Sequence, residues 1–439
     1  MRRIALAALV ALLAGEAAAQ APASRPVTAE EKRQAVTELA KLLRNRYAIG
    51  ERAEAAAAAI EGKLAAGGYA GLTDARAFSE AVKADLRAAT NDKHLDFGVP
   101  EPAPASPGKA PDPEAEQAAW RARARRGNWG LPRAEVLPGN VGLLEVRRFQ
   151  PPDLSVETIA AAMGFLANVD ALVVDVRGCR GGSARVMPYF AGYFFASPKS
   201  LFDMEFRGDN VTERFWTLPW LPGRRLADVP MYVLTSAYTF SGAEGFAYRL
   251  QVLKRATIVG ETTGGGANAG GVLDVPPFFR VYMPMGRPVD QTTRTNWDGT
   301  GVVPDVRTTA PEALYVAHVE ALKLLRSRAA GDAERARLDF ALERAEGRHH
   351  PPRFAPGDLD RLAGDYGSVR VRLEGGQLRL EREAGKPYLL LPLTATVFSA
   401  DIEDPVRAEF LPGPAGRIEK LAFTDEDGKR EELPRGASH

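Results

Sequence analysis

Three short segments carry the residue types that nucleophilic catalysis needs, and each follows an apolar run: DVRGCRGGS (175–183), TSAYTFSGAEG (235–245) and GETTGGGANAGG (260–271). In the second, Ser241 stands directly before Gly242 and opens a stretch with helical spacing of apolar residues. The glycine leaves room for a substrate to approach. It also puts a backbone N–H at a helix N-terminus, where developing negative charge is stabilised. The same residues have a plainer reading. Ser241 and Glu244 have the S-x-x-E spacing of a capping box, in which the serine only starts the helix, although Thr239 or Ser236 could supply that cap instead. From this segment alone both readings stand.

A serine nucleophile needs a base. The histidines are His94, His318, His349, His350 and His439. His439 is terminal, His349 and His350 sit in a linker, and His318 falls on the apolar face of a helix. His94 occupies a polar junction between turn and strand, beside Asp92 and Lys93. An orienting carboxylate completes such a site. Asp298, in TNWDGTGVVPD, lies in a Gly-rich turn that the Asp-Gly pair could equally form for its own sake. Asp175, Glu244, Glu261 and Asp305 are the other available acids. Cys179 is the only cysteine, so no internal disulfide forms, and its glycine neighbours mark a tight turn rather than a thiol nucleophile.

Elements able to hold these segments can be read from periodicity. Residues 25–97 have the three- and four-residue apolar spacing of a small helical domain, ending in the strand-like alternation Leu95-Asp96-Phe97. Residues 98–126 begin Pro- and Ala-rich and are expected to be a linker. Over 127–310, continuous apolar strands such as ALVVDV, MYVLT and ATIVG alternate with helical stretches, which predicts an α/β core with a parallel sheet. Residues 311–348 return to helix. Residues 354–436 read as short strands with turn signals at EGGQ, GPAG and EDGK, a small accessory β domain resembling a barrel.

Four segments in this order and spacing, VDVRGCRGG, LTSAYTFSGAEGFAYRL, IVGETTGGGA and WDGTGVVPD, resemble the tail-specific (C-terminal processing) serine protease family. The likeness is to the branch that holds tricorn protease and interphotoreceptor retinoid-binding protein, whose N-terminal domain the prelude ending in ATNDKHLDF resembles. It covers about residues 30–310. The resemblance implies a crotonase-like α/β core, an acyl-enzyme route and neither metal nor cofactor. It makes Ser241 the nucleophile, His94 its general base, and Asp298 the supporting acid where a glutamate is usual. The oxyanion donors would be the Gly242 N–H and one of Gly181 and Gly182. Two departures stand out. Gly266 occupies the place of the lysine in the branch that uses a Ser-Lys dyad, which favours His94 as base, and Cys179 replaces a usual asparagine. The stretch between His94 and the core also has no room for a PDZ domain.

Bulk composition narrows the partners. A hydrophobic fraction of 45%, a charged fraction of 26% and a net charge of +1 describe a globular protein with no global field to recruit nucleic acid. Arg2 and Arg3 precede the apolar residues 4–15 and the small residues around 17–21, so residues 1–21 read as a secretory signal peptide. This implies a periplasmic or secreted protein without stable membrane insertion. The expected partner is a polypeptide or short peptide, and the sequence carries no signal for an oligomeric state. The expected function is serine-type peptide hydrolysis. The alternative is an inactive peptidase-fold module that binds an apolar small ligand.

Overall fold

The computed structural model describes residues 25–100, 113–382, 387–400, 405–425 and 428–436. The expected signal peptide and His439 lie outside the described residues. The chain divides into two compact units. Among the described residues, one comprises 25–90, 95–100 and 271–283, and the other comprises 91–94, 113–270 and the described residues from 284 onward.

The first unit is built on helices Ala29–Arg46, Gly50–Ala65 and Ala75–Thr90. Thr28 and Glu31 form a reciprocal capping box at the first, and Asp74 accepts the Ala77 N–H at 2.9 Å to start the third. The short strand Asp96–Gly98 pairs antiparallel with residues 280–282. Tyr69, Phe78, Phe97 and Phe279 interlock in its core, with ring centroids 5.1–6.3 Å apart.

The second unit contains the predicted parallel sheet. Strands Val141–Glu145, Ala171–Asp175, Met231–Thr235, Thr257–Gly260 and Val306–Arg307 run parallel in that spatial order, with Arg133–Leu137 antiparallel at the edge. Alternate side chains face opposite layers. Leu172, Val174, Val233 and Ile258 join one core with Met163, Phe190 and Phe246, whereas Val173, Leu234 and Val259 join another with Ala317, Leu322 and Leu338. The continuous apolar runs are explained by this covering of both faces. The turns that leave strands 171–175, 231–235 and 257–260 therefore emerge side by side at the C-terminal sheet edge, where α/β folds build their sites.

The linker expected over 98–126 is corrected. Residues Pro113–Arg126 form a helix, with Glu114 and Glu116 in its first turn and Arg123, Arg125 and Arg126 in its last. Both charge groups complement the helix dipole, and every interior residue is helix-compatible, so composition in the Pro-rich half masked the half that folds. Residues 101–112 lie outside the described residues. Towards the C-terminus, helices Ala313–Arg328 and Asp332–His349 cover the sheet, and eight antiparallel strands follow in meander order between Gly364 and Pro434. The first and last of these meet through Gly367 N–H to Pro434 O at 3.0 Å and Gly436 N–H to Asp365 O at 2.8 Å. Tyr366, Phe398 and Phe410 fill its interior.

Candidate active site

Ser241 immediately precedes helix Gly242–Val252, with φ 56° and ψ −125°. A non-glycine residue held at positive φ stores strain that its surroundings must over-determine, and such residues concentrate at functional sites. Glu244 supplies part of that constraint by accepting the Ser241 N–H at 2.7 Å. Ser241 and Glu244 stand in the reciprocal arrangement of a capping box, of which the Glu244 half is the bond that meets hydrogen-bond geometry. Thr239 and Ser236 do not cap the helix. Their hydroxyls donate to Val176 O at 2.9 Å and Arg177 O at 2.7 Å, tying the turn before Ser241 to the turn after strand 171–175.

That neighbouring turn carries Gly181 and Gly182. A Cβ on Gly181, where φ is 87°, would lie 2.6 Å from Gly242 N and 2.9 Å from the Ser241 Cβ; one on Gly182 would lie 2.0 Å from Phe149 O. Only glycine permits this approach. Among the described residues, the N–H groups of Gly182 and Gly242 donate to no other group, and both border the pocket beside Ser241. Cys179 is buried beneath the same turn, where burial pushes its thiol up to about 11.

Glu244 is fully buried and collects four donors. Oε1 accepts the Thr263 hydroxyl and the Gly265 N–H, both at 2.6 Å; Oε2 accepts the Ser241 N–H and, at 2.9 Å, the Gly266 N–H. Burial raises its pKa against the pull of these four bonds. One carboxylate thus fastens the serine turn to the third glycine-rich turn.

His94 reaches the same turn. Its ring lies 4.7 Å from that of Phe240, and a Cβ on Gly266 would fall 2.2 Å from Phe240 Cζ and 2.9 Å from His94 Cε1. The junction expected to be merely polar is partly buried, and the Asp92 carboxylate fixes it by accepting the His94 N–H and the Asn268 side-chain amide, each at 2.9 Å. Burial lowers the His94 pKa below its ordinary 6.5; Asp92 pulls it up and Arg180 pushes it down. Asp298 accepts the Ala267 N–H at 3.3 Å on the next residue of the turn. Other acids are occupied elsewhere: Asp175 pairs with Arg177, Glu261 accepts the Ala237 and Ala310 N–H groups, and Asp305 accepts the Ile258 N–H. Gly181 and Gly182 therefore lie against Phe149, Ser241 and Gly242, whereas His94 and Asp298 lie against the Gly266–Ala267 turn. Sequence reading missed Phe240 and the Asp92–Asn268 clamp, because neither belongs to a spacing pattern. Among the described residues no group of three or more His, Cys, Asp or Glu is placed to hold a metal ion.

The sequence profile of peptidase family S41 matches residues 140–308, and that of the N-terminal domain of S41 peptidases in eukaryotic IRBP matches residues 27–123. Together they span more than half of the chain. The chain belongs to peptidase family S41. Similar solved structures include the photosystem II D1 C-terminal processing protease, at 16% identity, covering 65% of this chain and 94% of that one with a TM-score of 0.40. Mature CPAF is similar at 12% identity, over 67% and 97% of the two chains with a TM-score of 0.48. Tricorn protease is similar at 14% identity, over 72% and 37% with a TM-score of 0.39.

In this S41 peptidase an apolar pocket opens beside Ser241 and Gly242, lined by Met187, Leu201, Met204, Phe246, Leu250 and Trp297 among others. Arg249 also borders it, but its charge is met by Asp290, and its Nη2 donates to Ser200 O at 2.7 Å. The pocket therefore presents no free cation and suits an uncharged apolar side chain. Gly266 has no space for a lysine, since Phe240 and His94 occupy the volume its side chain would need. Gly266→Ala is expected to displace both rings, cost about 1–3 kcal/mol of stability and lower kcat/KM at least tenfold. Denaturant titration and steady-state kinetics check this, and an unaffected variant would contradict the packing.

Proposed function

We propose that this S41 peptidase cleaves polypeptide tails or short peptides by a serine acyl-enzyme route, with Ser241 as nucleophile, His94 as general base and Asp298 as the supporting acid. Ser241 Oγ attacks the scissile carbonyl carbon while its proton passes to His94. The oxygen–carbon bond forms, and charge collects on the carbonyl oxygen near the N–H groups of Gly242 and of Gly182 or Gly181. Collapse breaks the carbon–nitrogen bond, and the proton moves from His94 to the departing amine. Water then attacks the ester by the same proton path, releasing the acid and restoring the serine. The observation that carries this reading is the strained Ser241 at a helix N-terminus, beside backbone donors that no other group takes and next in sequence to Phe240, against which the His94 imidazole packs. The two-faced parallel sheet supports a crotonase-like core. The apolar residues 4–15 after Arg2 and Arg3 support export to the periplasm or beyond.

Fluorophosphonate labelling is the direct test. Folded wild type is expected to label, and Ser241→Ala to lose the label entirely. No labelling of folded wild type would overturn the enzyme reading and favour the alternative, an inactive module holding a small apolar ligand in the pocket beside Ser241.

The base also sets the pH dependence. His94 accepts a proton only when neutral, and its pKa lies below 6.5, so the acid limb of kcat/KM should have its midpoint below 6.5. Asp92, Lys93, Arg180 and Asp298 are the charged groups around it. Removing the Arg180 charge removes a lowering influence, so Arg180→Gln should move that midpoint upward. A profile recorded with an uncharged substrate checks both directions. Stability follows the same sign. A histidine kept neutral by the fold contributes fully above its unfolded value and less as pH falls through its folded value.

A further inference from the structure

Arg180 is exposed beside the oxyanion turn and makes no hydrogen bond or ion pair among the described residues. Its guanidinium carbon lies 5.0 Å from the ring centroid of Tyr238 and 5.0 Å from that of Phe240. A guanidinium stacked on aromatic faces keeps its N–H edge available, and the planar fork matches a carboxylate. Its charge is also felt at His94, whose ring stands 4.7 Å from that same Phe240. The neighbouring positive charges are spoken for: Arg147 pairs with Glu145, and Lys93 donates to Gly264 O. The neighbouring acids are engaged as well, Asp92 by Asn268 and Asp298 by the Ala267 N–H.

Sides can be assigned. The apolar pocket takes the residue on the acyl side of the scissile bond, whereas the general base must stand on the side of the departing amine. Arg180 shares Phe240 with His94 and borders no part of that pocket. We propose that Arg180 is an anion subsite on the leaving-group side, binding a carboxylate carried by the fragment that departs. Arg180 and His94 pack against the same ring, so this carboxylate belongs on the first few residues past the scissile bond. Its source is either the chain-terminal carboxylate of a short tail or an Asp or Glu side chain. The subsite rests on the reading of Ser241 and His94 as nucleophile and base, which fixes the two sides.

Binding to the Ser241→Ala protein tests it without turnover. Three peptides with the same apolar residue on the acyl side and a fluorescent N-terminal label are compared by anisotropy: a free acid ending two residues past the scissile bond, its C-terminal amide, and the amide with glutamate in place of the last residue. One or both carboxylate peptides should bind about tenfold more tightly than the neutral amide, with the advantage shrinking as salt rises. Which one does so identifies the source. In Arg180→Gln on the same background that ratio should fall to about one, and Arg180→Lys should restore part of it. Equal binding of all three peptides, or a preference that survives Arg180→Gln, overturns the subsite. The peptidase reading is tested separately, because labelling of wild type by fluorophosphonate does not depend on the peptide end group.

Discussion

His94→Ala is expected to abolish acylation, lowering the rate of fluorophosphonate labelling and of peptide hydrolysis on the order of 10⁴-fold or more, while the protein remains folded. A serine hydroxyl is a poor nucleophile until a base takes its proton, and a base held in place contributes as part of one unit with the nucleophile. Neither His318 nor His349 is placed to substitute. His318 is buried in its helix with Nε2 2.9 Å from Pro138 O, and His349 is paired with Glu312 at 2.5 Å. The cost to stability is modest but not zero, because the ring packs 4.7 Å from Phe240, a contact worth about 0.5–1.5 kcal/mol. The decisive control is Lys93, whose ammonium donates to Gly264 O in the turn where a dyad lysine would act. Lys93→Gln should retain labelling. If it loses labelling while His94→Ala keeps it, the base is a lysine and the histidine assignment fails.

Glu244→Gln is expected to damage both folding and catalysis. The four donors divide evenly, two on each carboxylate oxygen. A glutamine offers one acceptor oxygen and one NH₂ group, so either orientation turns a donor towards two buried donors. Each buried group left unsatisfied costs about 1–3 kcal/mol, so the loss should be about 2–6 kcal/mol, read as a lower denaturant midpoint at unchanged slope. Catalysis suffers because the same carboxylate positions Ser241 against the Gly265–Gly266 turn, and a shift near 1 Å in such a site costs about 10²-fold in kcat/KM. Wild-type stability in Glu244→Gln would show that the carboxylate is not the tie described above.

Much of the fold was legible because its signals are local. Continuous apolar strands alternating with helical periods predict a parallel sheet from burial on both faces, and Gly375-Gly376 gave away a hairpin because both take positive φ. The helix Pro113–Arg126 was obscured by the Pro-rich run before it, where composition outweighed a sound helical charge pattern. The three chemistry-bearing turns were legible as turns, since each follows an apolar strand.

Their meaning was not. The spacing of Ser241 and Glu244 describes a capping box, and the sequence by itself could go no further than a choice between cap and nucleophile. Tertiary structure decided that Glu244 serves the backbone of Ser241 and two glycines from another turn, because parallel neighbours bring strand ends 171–175, 231–235 and 257–260 together. The sequence determined which residue types exist at those ends. It could not determine that Phe240 would pack against both His94 and Arg180, nor that the Gly266 volume would already be filled, because packing across residues 94, 180, 240 and 266 has no periodicity to read.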